Sequence, residues 1–144
     1  MFRKLMRTAP TWMTVPVRLA LGVIMMAHGS QKVFGSFGGR GLAGFTAGEP
    51  VMGLRPAWLW LGAAAFSELV GGLLVLIGLL TRLGALLIAC VMVVAIFGVH
   101  WPNFFANIRG FEFPFALLAM SLALLIAGGG QASLDKALVG GKRC

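Results

Sequence analysis

Charge is scarce in this chain. Of its 144 residues 11% are charged and only four are acidic, whereas 59% are hydrophobic. That balance argues against a soluble globule, and long apolar runs between charged loops point to an integral membrane protein of one domain. Cysteine is scarcer still, with Cys90 inside an apolar run and Cys144 at the end. No C-x-x-C occurs, so the resident dithiol of a disulfide oxidoreductase is missing, and Cys90 reads as a small buried hydrophobe. There is no nucleotide-binding fold and no flavin motif, so any electrons handled here come from a partner or a bound cofactor. The shortage of acids leaves a net charge of +8. The basic residues lie mostly at helix ends and termini, without an aromatic-basic RNA motif, which removes nucleic acid as a partner.

What is present is a set of apolar spans. Basic residues ahead of the first span imitate a signal peptide, with Ala27-His28-Gly29 as a small-x-small site, but we read the segment as a retained membrane anchor. A basic cytoplasmic lead-in is expected over residues 1–14 and a four-transmembrane-helix domain over 15–128. Its helices fall at about 15–34, 57–80, 83–100 and 113–127, and a cytoplasmic tail occupies 129–144. Residues 36–56 carry six glycines and two prolines, so they form a loop with a short interfacial turn near Leu42–Phe45. A connection that long suits a lid or a partner surface. The turn at Thr81-Arg82 is tight, which makes the second and third helices antiparallel neighbours. The tail carries a cap pattern at Ser133, Asp135 and Lys136.

The fold expected is an all-α, antiparallel four-helix membrane bundle. Arg3, Lys4, Arg7, Arg18, Arg82, Lys136, Lys142 and Arg143 collect on one side, against Arg40, Arg55 and Arg109 on the other. This bias places both termini in the cytoplasm. Small residues recur every four positions at Ala63-Ser67-Gly71, beside the row Ala64-Glu68-Gly72, and again at Ala119-Ala123-Ala127, a spacing that lets membrane helices approach closely. Arg18 and Arg82, at helix ends, are expected to snorkel to lipid phosphates.

The first span turns polar before it has finished crossing. His28, Gln31 and Lys32 stand at i, i+3 and i+4 and so share one helix face. A charge facing lipid costs several kcal/mol, so that face is expected to meet protein, with Glu68 as the receiving acid. By the rise of about 1.5 Å per residue, His28 lies roughly 10 Å and Lys32 roughly 5 Å below the outer end of their helix. His100 closes the third helix and Glu112 opens the fourth at the same side. These five titratable groups suggest a site in which His28, Lys32 and Glu68 do proton chemistry while Gln31, His100 and Glu112 complete a binding pocket. The simpler alternative is a structural pairing of Glu68 with His28 or Lys32. Two histidines invite haem between facing helices but fall short of fixing it, and no local ligand spacing supports a metal.

The chain resembles the DoxX family of small four-helix membrane proteins over roughly residues 15–136. The resemblance rests on Arg18, Gly22, His28-Gly29, Lys32 and Gly35 in the first helix. It continues through Glu68, Gly71-Gly72, Gly78 and Thr81-Arg82, and ends at Gly128–Gly130 with Ser133-Leu134-Asp135. Gly129 departs from the family pattern, where a proline often stands. The resemblance implies a multi-pass bacterial inner-membrane protein linked to quinone-dependent redox metabolism and to oxidative or thiol stress. The function expected is a quinone-associated redox subunit with membrane or soluble partner subunits. The alternative is a non-catalytic scaffold or assembly component, or a carrier of a small hydrophobic molecule. Self-association is left open.

Overall fold

The computed structural model describes residues 6–140. The basic residues Arg3, Lys4, Lys142 and Arg143, and Cys144, lie outside the described residues. Every regular element among the described residues is helical. Four long helices carry the fold: α1 (Thr14–Val33), α3 (Ala57–Ile77), α4 (Thr81–Ala95, extended by a π-helical turn Ile96–His100) and α5 (Glu112–Ala127). Two shorter ones, α2 (Gly41–Thr46) and α6 (Leu134–Gly140), lie in the first loop and after α5. Helix α1 packs chiefly on α3, α3 on α4 and α4 on α5, while α5 also touches α1.

Two helices, α3 and α4 with its π turn, are long and apolar enough to cross a bilayer, and α5 is a shorter apolar helix. Their outward faces carry Phe66, Val70, Leu73, Leu86, Val93, Phe97, Leu122 and Ile126, all exposed. Such a continuous apolar surface is costly in water and suits lipid. The interior is small by comparison, with Leu21, Met25, Val75, Ala85, Ile88, Met92, Leu117 and Leu124 as its buried centre.

Close approach, more than side-chain bulk, holds α1 to α3. A Cβ added at Gly29 would sit 2.5 Å from the backbone nitrogen of Leu69, so this position needs glycine. The row Ala64-Glu68-Gly72 faces α1, with Gly72 against Met25, Met26 and Gly22. The neighbouring row meets α4: Gly71 lies against Gly84 and Ile88. Where side-chain burial gives no gain over lipid, contacts at this distance are what associates helices. The third row behaves differently. Ala119 and Ala123 are exposed, and α5 turns Leu117, Ser121 and Leu124 inward instead. Small residues at four-residue spacing permit approach, but α5 uses its larger apolar face for the contact.

The end of the molecule where α1 begins is tied by polar groups. Helix α3 stops at Gly78, whose left-handed φ of 73° lets its N–H reach the Leu74 and Val75 carbonyls. Arg18, expected to snorkel, is instead 4% exposed. Its Nε donates to the Val75 carbonyl (2.9 Å), its Nη2 to Leu76 (2.9 Å), and its Nη1 to Gly129 (2.9 Å) and Ala132 (2.6 Å). The orphan carbonyls at the end of α3 and in the turn after α5 offer it better acceptors than a distant phosphate. Arg82 likewise donates to the Ile126 carbonyl at 2.9 Å. Asp135 completes the knot. It is 1% exposed, and its carboxylate accepts from the Leu80 N–H (2.7 Å), the Thr81 N–H (2.9 Å) and the Thr81 hydroxyl (2.8 Å). A residue from α6 therefore caps the positive N-terminus of α4. Ser133, as its pattern suggested, accepts from the Lys136 N–H at 3.2 Å to start α6.

Candidate functional site

At the opposite end, α1 and α3 meet through a single charged contact. Lys32 stands in the last turn of α1, and its Nζ donates to both carboxylate oxygens of Glu68, at 2.5 and 2.6 Å. Glu68 is 3% exposed and lies near the middle of α3. This is the only ion pair among the described residues. The Phe45 ring of α2 lies over the Lys32 ammonium, 5.2 Å from its centroid, a cation–π contact that adds to the pairing. Lys32 reaches Glu68 because its stem is long enough to lean across the α1–α3 seam marked by Gly22, Met25 and Gly29.

Beside this pair lies a cavity of about 270 Å³ between α3 and α4. Ala63, Ser67, Cys90 and Val94 form its sides, and Phe45, Val51 and Leu54 of the first loop line it toward the end where α1 finishes and α3 begins. The cavity and the close α3–α4 contact come from one row of residues. At Gly71 the small row meets backbone and the helices touch, whereas Ala63 and Ser67, two and one turns earlier, face the space beside Cys90 and Val94. The loop is anchored over it by Val51 and Met52, which pack on Gly98 in the π turn of α4. Apart from Lys32, Glu68 and Ser67 the chamber is apolar. It offers an apolar group a place to lie, with one cation and one anion at its edge to bond polar groups.

The other expected site residues lie elsewhere. His28 is exposed and sits with its ring 6.1 Å from that of Phe113 on α5, apart from the Lys32–Glu68 pair. It lies next to Gly29 but about 100° round the helix from it, on the flank of the seam, and its short side chain does not lean back as a lysine does. Gln31 is half-buried against Gly39 at the start of the first loop. His100 uses Nδ1 on the Arg109 carbonyl at 2.7 Å, closing the loop after the π turn. Glu112 accepts from the Ala106 N–H at 2.7 Å and braces the same loop from the first turn of α5. The structure brings Lys32 and Glu68 together and leaves His28, Gln31, His100 and Glu112 outside the cavity. Cys90 corrects a second expectation. It is exposed on the α4 surface and lines the cavity, because the small residues opposite leave space where a buried thiol would need neighbours. Its position every third or fourth residue from Leu83, Leu86 and Val93, all exposed, was the available signal.

Helical in every regular element of its described residues, with an apolar exterior and a charged pair beside a cavity, the chain belongs to the class of small helical membrane proteins. The DoxX family profile matches residues 13–101, which span α1 to the end of the π turn, and the chain belongs to that family. It is 31% identical over 136 residues to "Putative oxidoreductase CatD" of Bacillus subtilis (strain 168), with 90% of each chain covered. No solved structure matches it.

Proposed function

We propose that this chain is a quinone-associated redox subunit, a multi-pass four-helix bundle of the bacterial inner membrane with both termini in the cytoplasm. The observation that carries the reading is the Lys32–Glu68 pair opening on an apolar cavity of about 270 Å³. A quinone head is flat, apolar and carries carbonyl oxygens at its rim. The Lys32 ammonium donates to such an oxygen, and the Glu68 carboxylate accepts from a quinol hydroxyl or takes its proton. Phe45 offers the ring a face to stack on. The two electrons are exchanged with a partner subunit or a bound cofactor: they leave the quinol together with its two protons, or reach the quinone as it takes two protons up. The name of the Bacillus subtilis relative, an oxidoreductase, agrees with redox work. The sequence bias of Arg3, Lys4, Arg7, Arg18, Arg82, Lys136, Lys142 and Arg143 against Arg40, Arg55 and Arg109 supports the orientation.

The test is titration of a decyl-bearing quinol analogue into protein reconstituted in nanodiscs. Saturable binding is expected, weakened by at least about tenfold in Glu68→Gln, because a neutral amide loses the charge-assisted bond. Absence of saturable binding, or equal affinity in the variant, rejects the reading. A second reading, a carrier or scaffold without turnover, draws on the same geometry: Glu68 already has a partner, and the walls are almost wholly apolar. It expects Glu68→Gln to lose thermal stability in detergent while any hydrophobic ligand still binds.

A further inference from the structure

Three places stand out beyond the head-group site: the open groove beside α6, the exposed aromatic loop after α4, and the side of the cavity that carries Cys90. The groove beside α6 is a shallow surface lined by Gln131, Ser133 and Lys136, with Ser133 already used as a helix cap. In the loop after α4, Trp101 stacks on Phe111, and Phe104 meets the Phe111 ring edge-to-face, so the aromatics already have one another as partners. The Cys90 side has a depth that decides what can reach it.

Cys90 is midway along the 20-residue span Thr81–His100, so at about 1.5 Å per residue it is roughly 15 Å from either end. Glu68 stands near the middle of the 21-residue α3. The outer end of the chamber is closed by Phe45, Val51 and Leu54, and the loop that bears the last two is packed down on Gly98. Ala63 and Cys90 line the cavity and are both exposed at its flank. An opening at that depth, on a helix whose neighbouring surface is Leu86, Val93 and Phe97, faces acyl chains.

We infer that the site takes a head group carrying a long hydrocarbon tail, which arrives sideways from the bilayer between α3 and α4 and leaves its tail across Ala63 and Cys90. The inference rests on the head-group reading above and adds the tail and the path. Lys32 and Glu68 select the head, and the flank formed by the small side chains of Ala63 and Cys90 leaves room for the tail. A larger side chain at Ala63 or Cys90 fills the threshold while leaving the ion pair in place.

Two measurements test it. With Cys144→Ser as background, a nitroxide on Cys90 in proteoliposomes is expected to collide freely with oxygen and hardly at all with a water-soluble nickel chelate. Strong relaxation by the chelate overturns the inference, since the opening then faces water. Next, Ala63→Phe and Cys90→Trp are titrated with a decyl-bearing quinone analogue and with the same head lacking the tail. The tailed molecule is expected to lose at least about tenfold in affinity and the tailless one less than about threefold. Unchanged affinity for the tailed molecule in both variants overturns the lateral path alone. Wild-type protein that binds neither molecule rejects the head-group reading, and this inference with it.

Discussion

The two ends of the molecule use buried charge in opposite ways. At one end, Arg18 and Asp135 direct all but one of their hydrogen bonds to backbone: four carbonyls around the guanidinium, and two N–H groups with the Thr81 hydroxyl around the carboxylate. They join α1, α3, α4 and the turn into α6 and leave no room beside them, since a Cβ at Gly78 would lie 2.5 Å from Arg18. At the other end, Lys32 and Glu68 have chiefly one another, with open space alongside. A saturated network is a fastening. An ion pair with space at its side can exchange a partner for a ligand, which is what a binding site requires.

Substitutions sharpen or break this contrast. The largest effect is expected from Arg18→Met, which leaves four carbonyls without their donor; it costs about 3–5 kcal/mol and lowers the melting point in detergent by many degrees. A melting point equal to wild type breaks the contrast at its stronger end. Asp135→Asn keeps the shape but loses the charge at the α4 N-terminus, with an expected cost of about 1–3 kcal/mol read in the same melt. Its effect on quinol binding is expected to be small, since Asp135 acts at the end away from the cavity. His28→Ala is expected to shift stability by about 0.5 kcal/mol or less and to leave quinol affinity within about twofold. A large loss of binding there places His28 in the site after all.

These outcomes also bear on what the sequence could convey. The meeting of Lys32 with Glu68 was legible, because a lysine and an acid inside apolar spans must find company and each had few candidates. Helical character was legible from the length of the apolar runs. Arg18 was not: an arginine at the end of a span fits snorkelling by depth alone, and its acceptors are backbone carbonyls that leave no mark in the sequence. Asp135 was read as part of its own helix's cap, whereas its partners are 54 and 55 residues away. His28 shares a helical face with Lys32, but a difference of one residue from the Gly29 contact turns it to the flank. The cavity was invisible for another reason. The repeat Ala63-Ser67-Gly71 announces small side chains, and whether a neighbour fills the space they leave depends on the opposite helix.

The account turns on whether the Lys32–Glu68 pair serves a ligand or the fold. Replacing both at once, as Lys32→Leu with Glu68→Leu, removes the charges without stranding either one, and apolar substitutes for a buried pair are often neutral or stabilising. Binding of the decyl-bearing quinol analogue and the melting point are then measured on the same preparation. The account expects a melting point at or above that of wild type, with saturable binding gone. A double variant that melts well below wild type yet binds the analogue with undiminished affinity contradicts it.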